Sequence, residues 1–305
     1  MKKISEKVTF FGSGPVAAKA LKLLARDGEI EAVVTKPKPA HHRGDFPVLS
    51  LTEKLGLKTY TPANKQELSE LFAKRPVSSR LGIVIDYGII ISSEVINYFP
   101  LGIVNSHFSL LPRWRGADPI TFAILEGDVK TGVSLMVIDE GLDTGKLITQ
   151  KTLHLKPEIT TPELTTQLID LSHELLLEYL PRYISGELSP HAQPHPDRVT
   201  HSRKLTKDDS TIDWSKTADV IEREIRAFLG WPGSRTTIAG KDVIITKAYS
   251  TPTQSPDTKP GTIEPVTEAH IIGVVTGKGT LWIERLKPAG KKDMSAAEFI
   301  RGYLR

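Results

Sequence analysis

The first 184 residues alternate between short apolar runs rich in β-branched side chains and stretches whose apolar residues recur at helical spacing, and that alternation restricts the fold more than any other feature. VTFF, ending at Phe11, predicts a buried strand, and PVAAKALKLLARDG, beginning at Pro15, predicts the helix after it. EAVVT (31–35), LGIVID (81–86), IVNSHFS (103–109) and VSLMVID (133–139) predict further strands. VLSLTEKLGL (48–57), LSELFAK (68–74) and ADPITFAILEG (117–127) predict helices between them, and 161–184 predicts a long last helix. Strands separated by helices in this order predict an α/β domain with a largely parallel sheet.

At 305 residues the chain has room for two domains. SGELSPHAQPHPDRVTH (185–201), with its Pro, Gly and polar residues, reads as a surface linker. The expected division is a first domain over 1–188, a linker over 189–204 and a second domain over 205–305. The second part carries a helix near 217–228 and short β-rich runs at 244–246, 270–276 and 280–286. This predicts a small β domain compatible with a barrel of the oligonucleotide-binding type. All of the formal net charge of +4 lies beyond residue 200. A field of that sign attracts a phosphate backbone, although solubility accounts for it equally well.

With no cysteine, the chain has no disulfide framework, thiolate nucleophile, Cys-ligated zinc or Cys-held iron–sulfur cluster. It opens MKKISEKVTFFGSG, without the apolar stretch of a signal peptide, and no run of about 18 apolar residues follows. These features predict a cytoplasmic protein with no membrane partner.

Several residues could carry chemistry. GSGP (12–15) lacks the full G-x-G-x-x-G pattern, since Ala17 stands at the last position. Gly12 and Gly14 permit either a tight strand-to-helix turn or the close approach of a ligand. In NSHFSLLP (105–112), polar groups emerge where an apolar strand ends, the position at which open α/β sheets bind ligands. Extended backbone puts Asn105 and His107 on one face, where an amide could donate to a developing oxyanion and an imidazole could move protons. An Asn-capped turn beside a hydrogen-bonded histidine fits the same spacing. DEGLDTG (139–145) reads as turn chemistry, as a calcium loop lacking the full ligand pattern, or as a way to set Asp143 against His107. His41, His42 and Arg43 lie in a Pro- and base-rich stretch that suits a substrate-binding loop or a plain solvated one; no metal motif completes it. Arg113, Trp114 and Arg115 combine charge with an aromatic platform suited to an anion, to a heteroaromatic ring or to ordinary edge packing.

NSHFSLLPRWRGADPI, followed by DEGLDTG, resembles the folate-dependent formyltransferases. HAQP (191–194), KLTKDDSTIDW (204–214) and IRAFLGWPGSRT (225–236) look like the branch of that family that acts on methionyl-tRNA, and the resemblance covers nearly the whole chain. It implies a fold of class α/β, with an N-terminal Rossmann-like formyltransferase domain and a small C-terminal OB-like β-barrel. It implies N10-formyltetrahydrofolate as formyl donor with no metal, and catalytic Asn105, His107 and Asp143. Tyr87, Gly88 and Ile89, with Ser109, Leu110, Leu111 and Pro112, match the stretches bordering the folate. Asp86 stands where the family has a small residue. Arg43 matches the Arg of a basic loop that reaches toward the tRNA acceptor end. The partners implied are initiator methionyl-tRNA and the small-molecule folate, bound by a monomer. A formyltransferase for an amino-sugar nucleotide and a non-catalytic RNA-binding module are the competing readings.

Overall fold

The computed structural model describes residues 3–39, 44–253, 258–264 and 271–303. In chain order the elements are β1 (Ile4–Phe11), α1 (Pro15–Asp27), β2 (Gly28–Val34), α2 (Pro47–Leu55), β3 (Thr59–Tyr60), α3 (Lys65–Ala73), β4 (Leu81–Val84), α4 (Ser93–Tyr98), β5 (Ile103–His107) and β6 (Arg115–Gly116). There follow α5 (Pro119–Leu125), β7 (Lys130–Val137), β8 (Lys146–His154), α6 (Thr161–Ile184) and β9 (His201–Ser202). The last are α7 (Ala218–Ala227), β10 (Ser234–Ile238), β11 (Lys241–Thr251), β12 (Ile272–Val275), β13 (Thr280–Pro288), β14 (Met294–Ser295) and α8 (Ala296–Tyr303). The chain forms two compact units: one of residues 1–119, 130–154 and 165–202, the other of 120–129, 155–164 and 203–305.

The first unit is built on a seven-stranded sheet in the order β3-β2-β1-β4-β5-β7-β8. The pairings from β3 through β5 are parallel, as the β–α alternation requires; β7 pairs antiparallel with both β5 and β8. Only residues 138–145 join β7 to β8, too few for the crossover that a parallel pair needs. The sheet is therefore largely parallel, as expected, with β7 and β8 adding an antiparallel edge that makes it mixed. In α1, Pro15 occupies the first turn, and Ala17, Ala20, Leu21 and Leu24 form a buried stripe at helical spacing. Gly12 makes that packing feasible, because a Cβ there would lie 2.6 Å from the Ala17 Cβ and 2.8 Å from the Ile85 carbonyl oxygen. Beside the sheet an aromatic core forms around Phe11, whose ring centroid lies 5.8 Å from Phe72, 5.7 Å from Tyr87 and 5.9 Å from Phe99.

The second unit is an antiparallel half-barrel in the order β10-β11-β13-β12, with β14 on β13. Alternate residues of its strands, Val243 and Ile245 on β11 and Leu281 and Ile283 on β13, point into a core with Ile221 and Ile225 of α7 and Phe299 of α8. Within this unit the Arg226 Nη1 donates to the Ile159 carbonyl at 2.9 Å, and the Thr161 hydroxyl donates to the Ala227 carbonyl at 2.7 Å. Among the described residues, no helix is long and apolar enough to cross a membrane, and no group of three or more His, Cys, Asp or Glu residues could hold a metal ion.

Candidate active site

Strand β5 sets two of the candidate groups. It lies between β4, where Val84 pairs Asn105, and β7, where Met136 pairs Asn105 and Ser134 pairs His107. With hydrogen-bonded neighbours on both sides, the pleat fixes Asn105 and His107 on one face. The intervening Ser106 turns the other way and shares a 2.6 Å hydrogen bond with Ser172.

His107 is buried, and its Nε2 lies 2.8 Å from the Trp114 carbonyl oxygen. A carbonyl only accepts, so Nε2 carries a hydrogen and Nδ1 is left to face the Asp143 carboxylate, with Oδ2 at 3.7 Å. That separation is an electrostatic contact rather than a hydrogen bond. Asp143 Oδ2 accepts from the Gly116 amide at 2.7 Å, and Oδ1 accepts from the Asn105 Nδ2 at 3.4 Å. The structure thus brings together an amide donor, an imidazole and a carboxylate from two separate segments. Asp143 itself sits at φ +52°, the left-handed region, in the loop between β7 and β8.

The remaining candidates divide by how they present themselves. Tyr87 is buried in the aromatic core, and burial pushes its phenol up; its hydroxyl has no hydrogen-bond partner among the described residues. Gly88 is exposed at φ +68°, and Ile89 is partly buried against the same core. Ser109 is fully buried: its hydroxyl donates to the Arg113 carbonyl at 2.5 Å, and its carbonyl accepts from the Ser134 hydroxyl at 2.6 Å. Leu111 packs with Met136 and Leu147 ahead of a cis bond to Pro112, and its carbonyl accepts from Gln150 Nε2 at 2.8 Å. Leu110 is partly buried. Residues 109–112 form a turn held from behind by Ser134 and Gln150. Arg43, with His41 and His42, lies outside the described residues.

Asp86 stands at the end of β4 at φ +50°. Its carboxylate occupies the space a side chain at Gly14 would need, with Oδ2 2.1 Å from an ideal Cβ there. The residue is exposed yet ringed by protein, and its carboxyl is pushed up to about 6, by burial first and then by the charge of Asp118; the Ala17 amide and Lys36 pull the other way.

Sequence reasoning missed three contributors: the Trp114 carbonyl that holds His107, the Gly116 amide that holds Asp143, and the 191–202 segment. Main-chain groups leave no residue-type signal. The segment read as a linker is tied down within the first unit, with His191 exchanging two backbone hydrogen bonds with Leu147 and β9 pairing parallel with β6. Gly116, at φ +113°, was a visible marker, since any Cβ there would lie 2.2 Å from the Ser202 carbonyl oxygen.

Residues 6–180 match the formyl transferase family, and residues 204–304 match the formyl transferase C-terminal domain. The chain belongs to the formyl transferase family. Among its relatives in that family is a methionyl-tRNA formyltransferase of Roseiflexus castenholzii, 36% identical over 305 residues that span 98% of this chain and 96% of the relative. The fold also resembles that of an N-formyltransferase from Helicobacter canadensis, solved with folinic acid and dTDP-3-aminofucose, at TM-score 0.66 and 18% identity over 92% of this chain and 99% of that one. HypX from Aquifex aeolicus, solved with tetrahydrofolic acid, aligns at TM-score 0.65 and 17% identity; the match covers 98% of this chain and 47% of HypX.

Proposed function

We propose that this formyl transferase passes the formyl group of N10-formyltetrahydrofolate to the free α-amino group of initiator methionyl-tRNA, as a step of translation initiation. The observation that carries this reading is the full-length similarity to a methionyl-tRNA formyltransferase, at 36% identity over 98% of the chain, which includes the half-barrel as well as the catalytic core.

Asn105, His107 and Asp143 perform the transfer. The folate supplies an activated formyl group, and only a neutral amine has the lone pair to attack its carbon. Asn105 Nδ2 donates to the oxygen as it takes up negative charge, the point at which a prearranged donor is most effective. His107, with Nε2 committed to the Trp114 carbonyl, uses Nδ1 to relay the proton that leaves the amine. Asp143 orients that ring and stabilises the positive charge it acquires. Collapse breaks the bond from the formyl carbon to the folate nitrogen, which takes up a proton, leaving N-formylmethionyl-tRNA and tetrahydrofolate. The backbone around Tyr87, Gly88 and Ile89 and the turn from Ser109 through Leu110, Leu111 and Pro112 border the donor. The fixed turn and the exposed Gly88 suit contact through main-chain groups.

Residues 1–188 carry the reacting groups and 205–305 help hold the tRNA, with Arg43 reaching toward its acceptor end; 189–204 connect them while 191–202 stay tied to the first unit. The enzyme works in the cytoplasm as a monomer. Phosphate contacts from Arg43 and the basic C-terminal part make affinity for tRNA fall steeply as salt rises. Binding titrations at two salt concentrations check this, and an affinity indifferent to salt contradicts it. The activity itself is tested with purified protein, N10-formyltetrahydrofolate and charged initiator or elongator methionyl-tRNA, scoring formyl-methionine by mass spectrometry. Donor-dependent product favouring the initiator is expected. Formylation of a small amine such as an amino-sugar nucleotide, with none of methionyl-tRNA, would overturn the assignment.

A further inference from the structure

Gln193, in the HAQP stretch, has no place in the mechanism above, yet all of its side-chain hydrogen-bonding groups are engaged beside it. Its Nε2 donates to two main-chain carbonyls, Asp143 at 2.7 Å and Gly145 at 3.0 Å, and its Oε1 accepts from the Arg115 Nη2 at 2.7 Å. These partners fix the amide orientation, because a flipped amide would set its oxygen against two carbonyls and its NH2 against a guanidinium. The contacts close a ring: Gln193 to Arg115, Arg115 along the chain to Gly116, the Gly116 amide to the Asp143 carboxylate, and the Asp143 carbonyl back to Gln193.

Three further observations give the ring its purpose. Asp143 holds a left-handed backbone at φ +52° in a loop whose next-door Leu142 is exposed, so the local chain does not itself enforce the conformation. The Asp139 carboxylate accepts from the Gly141 amide at 3.1 Å and the Thr144 hydroxyl at 2.6 Å, contacts that shape the loop without reaching its base. Gln193, by contrast, is anchored at both ends: His191 is bridged to Leu147 on β8, and Thr200 to Ser202 run beside Trp114 to Ala117. A fixed side chain therefore grips the two carbonyls that flank Thr144.

We infer that Gln193 is a positioning residue for the transfer reaction: its amide locks the Asp143 loop onto the Arg115–Gly116 strand and so holds the Asp143 carboxylate opposite His107 Nδ1. This rests on the reading of Asn105, His107 and Asp143 as the reacting cluster. Two isosteric substitutions separate the parts of the grip. Gln193→Glu keeps an acceptor for Arg115 but loses both donors to the loop, while Gln193→Met keeps the volume and loses every polar contact.

Both variants, assayed with formyl donor and methionyl-tRNA, should lose between about ten- and a hundredfold in kcat, the scale of a misplaced reacting group, with KM for each substrate within about twofold of wild type. In an Asp143→Ala background the same substitutions should cost almost nothing more, because the carboxylate they position is gone. A second readout needs no turnover. The Gly116 amide is held by the Asp143 carboxylate, so its hydrogen exchange, followed by NMR, should accelerate at least tenfold in Gln193→Met relative to wild type, while β7 amides stay protected. The inference is overturned if both folded variants keep wild-type kcat, if their losses are the same with and without Asp143, or if Gly116 exchange is unchanged. Should Gln193→Met fail to fold, Gln193→Glu carries the kinetic and exchange tests alone. Should wild type fail to formylate methionyl-tRNA, the acceptor reading falls, and the Gly116 exchange result still decides the role of Gln193.

Discussion

The two halves of the site are held by different means. Asn105 and His107 ride on β5, a strand paired on both edges, so their direction follows from the ladder with β4 and β7. Asp143 rides on the loop 138–145, in a left-handed backbone, and its direction follows from side-chain and amide contacts contributed by distant stretches of chain, Gly116 and Gln193. A strand-borne group keeps its aim when neighbouring side chains change, because main-chain hydrogen bonds survive most substitutions. A loop-borne group inherits the sensitivity of every contact that fixes it. The proposed reacting cluster joins one group of each kind across a 3.7 Å gap, from Nδ1 of His107 to Oδ2 of Asp143.

The strongest way to sharpen this contrast is to delete the strand-borne groups themselves. Asn105→Ala and His107→Ala should each lower kcat by about 10²- to 10³-fold, the scale of a lost oxyanion donor or proton relay. Circular dichroism should remain near wild type, since the β5 ladder does not use these side chains, while His107→Ala should melt lower because it empties a buried position and frees the Trp114 carbonyl. A variant that unfolds would show that the strand depends on its polar face after all. A variant that turns over normally would remove its residue from the mechanism.

A smaller effect is expected where the loop-borne half is disturbed through the backbone. Gly116→Ala places a Cβ 2.2 Å from the Ser202 carbonyl oxygen at φ +113°, a conformation that an L side chain resists. The strain should cost about 1–3 kcal/mol of stability, read by urea titration. The shifted Gly116 amide should loosen Asp143, so kcat should fall while donor KM holds. Loss of stability with unaltered kcat in the folded fraction would show that Asp143 keeps its place without this amide.

The same contrast decides what could be read in the sequence. Elements that announce themselves by periodicity were legible: the helix expected over 161–184 runs Thr161–Ile184, and β1, β2, β4, β5 and β7 fall where apolar, β-branched runs predicted them. Asn105 and His107 share a face because extended backbone leaves no other choice. Contacts made by main-chain atoms were not legible. Strands β6 and β9 are two residues each, with no pattern to detect, yet they tie 191–202 to the site. Tyr87 illustrates the converse, since a motif match locates the residue without telling that its ring turns into the aromatic core. Strand β8 was not expected, because the Lys, Thr, Gln and His residues of KLITQKTLH break up any apolar run, and its antiparallel pairing with β7 follows from the short 138–145 connection.

Asp86 gives the gentlest test, because it too is a carboxylate on left-handed backbone at a strand end. Asp143 receives an amide from Gly116 and another from Asn105; Asp86 has the Ala17 amide and Lys36 set against burial and Asp118, and its carboxyl is pushed up to about 6. In the unfolded chain an Asp releases its proton near about 3.9. Between those values the native protein holds the proton that the unfolded chain has lost, so this group makes stability fall as pH rises, with the full penalty present above about 6 and none below about 3.9. Asp86→Asn keeps the shape, tolerates the left-handed backbone and removes the charge. It should therefore raise Tm more at pH 8 than at pH 4.5, by a modest amount because water reaches the exposed side of the residue. Equal shifts at the two pH values, or a larger one at pH 4.5, would mean that the contacts from Ala17 and Lys36 already satisfy the ionised carboxylate. Asp86 would then resemble Asp143 rather than contrast with it.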